Sequence, residues 1–119
     1  MSAHNQQIGA RGEHVAAGWL RNHGLRVLAM NWRCRAGEID IVAQDGATLV
    51  VVEVKTRTST RFGSPAEAVA GVKLRRLRRL AAAFLAQCPH YFPAVRIDVI
   101  AVLLPPGGGA LVRHLRSVG

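Results

Sequence analysis

The chain reads as an α/β protein: a mixed central β-sheet flanked by helices, with a core in the order α-β-β-β-α-β. Three observations predict this. Residues 38–43 and 48–56 are β-branched, largely apolar runs joined across Asp45-Gly46, a pair suited to a tight hairpin turn. Segments with helical spacing precede and follow that hairpin. A further long apolar run at 95–104 then returns as a strand. With 119 residues, the chain suits one domain over its whole length.

Residues 8–23 form the first predicted helix, where Val15, Ala16, Trp19 and Leu20 share a face and Gly24 is a natural stop. Residues 1–7 are polar and are expected to be a flexible N-terminus. Residues 25–30 read as a strand near an edge, and 31–37 as a basic connection carrying Trp32, Arg33 and Arg35. Trp32 beside a strand reads as core. A polar, cationic loop spans 57–63. Ser64-Pro65-Ala66-Glu67 has the cap, proline and acid of a helix start. That helix runs to Gln87, with a break favoured near Gly71, since glycine costs about 1 kcal/mol inside a helix. Its stripe of Leu74, Leu77, Leu80, Ala81, Phe84 and Leu85 reads as core. Residues 105–109 are a Pro/Gly loop, and 110–115 suit a short edge strand. Asp98 on the 95–104 strand either supports a basic side chain or is a plain partner for Arg96.

Sixteen Lys and Arg face seven Asp and Glu, a formal charge of +9, and hydrophobic residues make up 50%. This excludes a disordered tail and points to a polyanion, most simply nucleic acid, as partner. Cys34 and Cys88 lack metal-ligand spacing and read as reduced thiols. The N-terminus lacks a signal-peptide core, and no apolar run nears the roughly 20 residues of a membrane span. A cytoplasmic location without membrane association is the expectation. The five histidines show no ligand spacing.

Four of the seven acids (Glu38, Asp40, Asp45, Glu53) fall between positions 38 and 53. Carboxylates in such strands are costly unless paired. Alternation puts Glu53 and Lys55 on one face. A hairpin centred on Asp45-Gly46 sets Asp40 opposite Val51 and Glu38 opposite Glu53. Asp40 and Glu53 then become diagonal neighbours, about 7–8 Å apart at Cβ. Two carboxylates about 5 Å apart repel by roughly 3 kcal/mol at an effective dielectric of 20. A divalent cation relieves that repulsion, and Mg²⁺ needs few protein ligands. Asp40, Glu53 and the Val54 carbonyl suffice. Lys55 is then placed to act on the attacking water or on the phosphorane charge. The plain alternative is a solvated Glu53–Lys55 pair on a sheet face. Glu13, close to the apolar face of the first helix, either supports this centre or pairs with a nearby arginine.

Gly12-Glu13, Asn31-Trp32-Arg33, Gly37-Glu38-Ile39-Asp40, Val52-Glu53-Val54-Lys55-Thr56-Arg57 and residues 62–69 (Phe-Gly-Ser-Pro-Ala-Glu-Ala-Val) together resemble the YraN family of small bacterial proteins. That family is similar to the Holliday junction resolvases and belongs to the PD-(D/E)xK superfamily. The resemblance covers residues 8–103. It implies a restriction-endonuclease-like fold and a Mg²⁺ (or Mn²⁺) site on Asp40, Glu53 and Lys55, with Glu13 from the first helix. Ile39 stands where the superfamily name has proline.

Arg33, Arg35, Arg57 and Arg61 flank the acid-bearing strands as candidate phosphate contacts. Lys73, Arg75, Arg76, Arg78 and Arg79 form a second basic patch. The expected function is a metal-dependent endonuclease acting on DNA, branched or otherwise structured. The rivals are a non-catalytic nucleic-acid-binding module and a structural partner in a recombination or repair assembly. A homodimer would suit a cutter of two strands.

Overall fold

The computed structural model describes residues 3–58, 69 and 72–119. Their elements are α1 (Ala3–Asn22), β1 (Arg26–Cys34), β2 (Gly37–Asp45), β3 (Thr48–Arg57), α2 (Leu74–Gln87), β4 (Ala94–Leu103) and β5 (Leu111–Leu115). The five strands form one sheet in sequence order. All neighbours are antiparallel except β3 and β4, which run parallel across the α2 connection. The mixed sheet and the α-β-β-β-α-β order with its extra strand hold as expected.

β3 is central, so both its faces are buried and Val50, Val51 and Val52 are all fully enclosed. Val50 and Val52 pack with Ala16, Ala17 and Leu20 of α1. Val51 and Leu49 pack with Leu77, Leu80, Ala81 and Phe84 of α2. Trp32 joins that second layer, edge-on to Phe84 at 5.4 Å between ring centres, which bears out its reading as core.

Three expectations are corrected. Helix α1 already begins at Ala3, so most of the stretch expected to be flexible is helical. Residues 31–34 belong to β1 rather than to a loop, because Trp32 and Arg33 pair with Ile39 and Glu38. The hairpin turns on Gly46-Ala47, with Asp45 opposite Thr48. Only Gly46 of this pair has positive φ, at 59°, as a turn with glycine first requires. The register therefore slips by two residues, which changes the cross-strand partners and preserves the faces over the paired residues 41–45 and 48–52. Helix α2 starts at Leu74 with Lys73 as its N-cap. The capping sequence at 64–67, Gly71 and Arg61 lie outside the described residues.

Candidate functional site

The β2–β3 ladder runs from Asp45↔Thr48 to Ile41↔Val52 and stops there. Continued by one step, the same register sets Asp40 against Glu53. Instead of a backbone rung, the Asp40 carboxylate accepts the Val54 N–H at 2.8 Å. On its other side Asp40 faces Asn31, between the pairs Met30↔Ile41 and Trp32↔Ile39. Asn31 has left-handed backbone, φ 52°, a conformation asparagine tolerates better than most residues. The pleat breaks here: Ile41 packs toward α1, whereas Ile39 packs toward α2. Asp40 thus sits where the sheet splays, open to both layers.

Glu13 arrives from α1 for a steric reason. A Cβ at Gly12 would run into the Thr56 side chain, so only glycine lets α1 approach β3 this closely. Glu13 is half-buried. Burial raises its pKa, the charge on Glu38 adds to this, and a hydrogen bond from Asn31 together with His14 opposes it. Asp40 is raised further, to about 7. Burial is the main cause. The Val54 N–H opposes it, and the charge of Glu53, a hydrogen bond to Glu53 and the charge of Glu13 reinforce it. Asp40 therefore has Glu53 as its nearest acidic neighbour, and the charge there disfavours a charge on Asp40.

Lys55 Nζ lies 3.8 Å from Glu53 Oε2, with both side chains about a quarter exposed. Glu38 pairs with the exposed Arg33 at 3.7 Å. The structure therefore gathers Glu13, Asp40 and Glu53 into one electrostatic cluster, with Lys55 attached through Glu53. Arg35, Arg57, Lys73, Arg75, Arg76 and Arg79 are all exposed. Of these, Lys73 and Arg76 share a cleft with Glu53 and Lys55. Sequence reading missed Asn31 as a partner of Glu13 and set Glu38 aside. An asparagine inside a strand-forming run was the available signal, since asparagine is depleted in strands.

The donor set suits a hard divalent cation: two neighbouring carboxylates in place of hydrogen-bonded opposites, with a backbone carbonyl nearby. A strand residue's N–H and C=O point the same way, so the Val54 carbonyl faces the gap that its N–H spans to Asp40. No group of three or more His, Cys, Asp or Glu among the described residues closes on a single point. A cation here therefore depends on the two acids, a carbonyl and water, as Mg²⁺ permits.

Fold and site together define an α/β protein whose central hairpin opens around a cluster of acids beside a lysine. The chain belongs to the family described as "Uncharacterised protein family UPF0102", whose model matches residues 12–102; this is the YraN family that the motifs resemble. A UPF0102 protein of Beutenbergia cavernae is 59% identical over 112 residues, covering 94% of this chain and 95% of its own. Another, from Mycolicibacterium vanbaalenii, is 53% identical, with 94% and 93% covered. Among solved structures, Hjc, a Holliday junction resolvase of Archaeoglobus fulgidus, aligns with a TM-score of 0.42 and 21% identity, over 87% of this chain and 74% of that one. No helix among the described residues is long and apolar enough to cross a membrane.

Proposed function

We propose that this protein is a Mg²⁺- or Mn²⁺-dependent endonuclease that binds DNA, branched or structured DNA in particular, and hydrolyses its phosphodiester backbone. The observation that supports this best is the Asp40–Glu53 carboxyl pair at the splayed end of the hairpin, with Glu13 adding charge and Lys55 beside it. Asp40, Glu53 and the Val54 carbonyl would hold the metal, which when bound supplies Lewis acidity and a water of lowered pKa. The Val54 N–H fixes one Asp40 oxygen and leaves the other free of that bond. Lys55 brings an ammonium group to the edge of the acids, where it can orient water or neutralise charge on the phosphoryl oxygens. Asn31 steadies Glu13, whose charge keeps Asp40 receptive to a cation. Arg33, Arg35 and Arg57 are exposed around these strands and suit backbone contacts, as the net charge of +9 favours.

The rival is a nucleic-acid-binding module without cleavage. What favours it is that Glu13, though its charge reaches Asp40, does not complete a three-ligand group for one ion among the described residues. Forked, flapped, four-way and linear DNA, incubated with the protein and Mn²⁺, separates the two. Cleavage lost in both Asp40→Asn and Lys55→Ala supports the enzyme. Binding with no metal-dependent cleavage of any substrate refutes it and leaves the module.

A further inference from the structure

The basic residues of α2 are not one patch. Lys73 and Arg76, at its first turn, line a cleft of about 210 Å³ with Leu77, Glu53 and Lys55. Arg75, Arg78 and Arg79 do not line it. Among the described lining residues, three cations face one carboxylate, and Glu53 is engaged by Lys55. Lys73 and Arg76 have no acidic partner among the described residues. The Arg76 guanidinium also lies beside β2, 3.4 Å from where a Cβ at Gly37 would stand. Gly37 has φ 140°, a backbone that glycine permits. Lys73 occupies the N-cap of α2 and has no acceptor to offer the helix amides. The first turn also contains no acidic side chain, so the helix end adds positive potential to the cleft.

We infer that Lys73, Arg76 and Lys55 form a seat for one backbone phosphate of the bound strand, next to the phosphate held at the acid centre. The lining chooses the ligand. Among the described residues that line it, Leu77 is the single apolar side chain and none is aromatic, so these offer a base nothing to stack on, whereas a phosphate meets a guanidinium fork and two ammonium groups. Glu53 borders both the acid centre and the cleft. A strand laid across them therefore places consecutive phosphates in the two, and the cleft sets the register of cutting. The nucleic-acid ligand rests on the nuclease reading; the anion seat is testable without it.

The test is titration of the metal-free protein, in EDTA, with inorganic pyrophosphate, followed by NMR of the arginine side-chain N–H signals. Saturable binding is expected, weakened about tenfold in Arg76→Ala and in Lys73→Ala, partly retained in Arg76→Lys, and unchanged in Arg113→Ala on β5. Far-ultraviolet circular dichroism confirms that each variant is folded. No saturable binding, or equal weakening by Arg113→Ala, overturns the seat in favour of diffuse surface charge. Because the assay excludes metal, a folded protein that binds pyrophosphate this way but cuts no DNA with Mn²⁺ retains the seat and loses the nuclease.

Discussion

Two carboxylates on this sheet have opposite surroundings. Asp98 on β4 is fully buried, yet every approach to it is a donor. Arg96 donates from Nε at 2.9 Å and from a terminal nitrogen at 3.1 Å, His114 Nε2 lies 2.7 Å away, and the Ser117 N–H donates at 3.0 Å. Burial alone would raise its pKa, but His114, Arg96 and the Ser117 N–H outweigh this and hold the carboxyl below its ordinary value. Trp19 donates to His114 Nδ1 at 3.3 Å, so Nε2 carries the proton directed at Asp98. Asp40, less buried, receives one backbone N–H and is otherwise faced by Glu53 and Glu13. One carboxylate has been compensated until it stabilises the fold. The other has been left in want of a cation. That asymmetry separates a structural acid from a candidate functional one, and sequence spacing alone does not show it.

The largest expected effect breaks the compensated side. Asp98→Ala leaves Arg96 and His114 facing a buried void and should cost about 3–5 kcal/mol, read as a lower midpoint in urea unfolding. If the loss is under about 1 kcal/mol, Asp98 is not the keystone of its network. Next is Gly12→Ala, which forces α1 away from Thr56. Overpacking of this kind costs about 1–3 kcal/mol. It should also displace Glu13, so under the proposed nuclease function DNA cleavage is expected to fall further than the stability change accounts for.

The third prediction sharpens the contrast through pH. The folded pKa of Asp40, about 7, lies above its ordinary 3.8. Between these values the folded chain holds more protons than the unfolded one, so this group makes stability fall as pH rises through the window. Asp98 has the opposite sign: its stabilisation is present above 3.8 and is lost as pH falls through its lower folded value. Asp40→Asn should remove the first slope, gain about 1 kcal/mol near pH 8 and leave the acid-side loss intact. A slope unchanged in Asp40→Asn assigns it to another group. Mg²⁺ should likewise raise the melting temperature of the wild type more at about pH 8 than at about pH 5.5, because proton and cation compete for the same oxygens. The smallest effect is Arg33→Ala, which breaks an exposed pair with Glu38 and should cost under about 0.5 kcal/mol.

How far the sequence reaches is visible residue by residue. Asp40 was legible because an acid interrupts a β-branched run, and the shared face of Glu53 and Lys55 because strand side chains alternate. Trp32 as core was legible for a similar local reason, and the pairing with Arg96 was one of the two readings open for Asp98. The turn was misplaced by one residue because Asp45-Gly46 and Gly46-Ala47 are both acceptable turns, and strand pairing over the whole hairpin decides between them. Asn31 was passed over because its left-handed backbone and its bond to Glu13 exist only once β1 lies beside β2.

By itself, then, the sequence determined the order of helices and strands, the alternation of faces within each unbroken stretch of strand and the strong positive charge. These follow from periodicities of two and 3.6 residues and from composition, which are local. Only the tertiary structure decided that the hairpin opens at Asp40, that Gly12 lets Glu13 reach it, and that Lys73 and Arg76 close a cleft over Glu53. Those depend on which distant segments touch, and contact between distant segments is settled by packing the two layers on the sheet rather than by any stretch of chain alone.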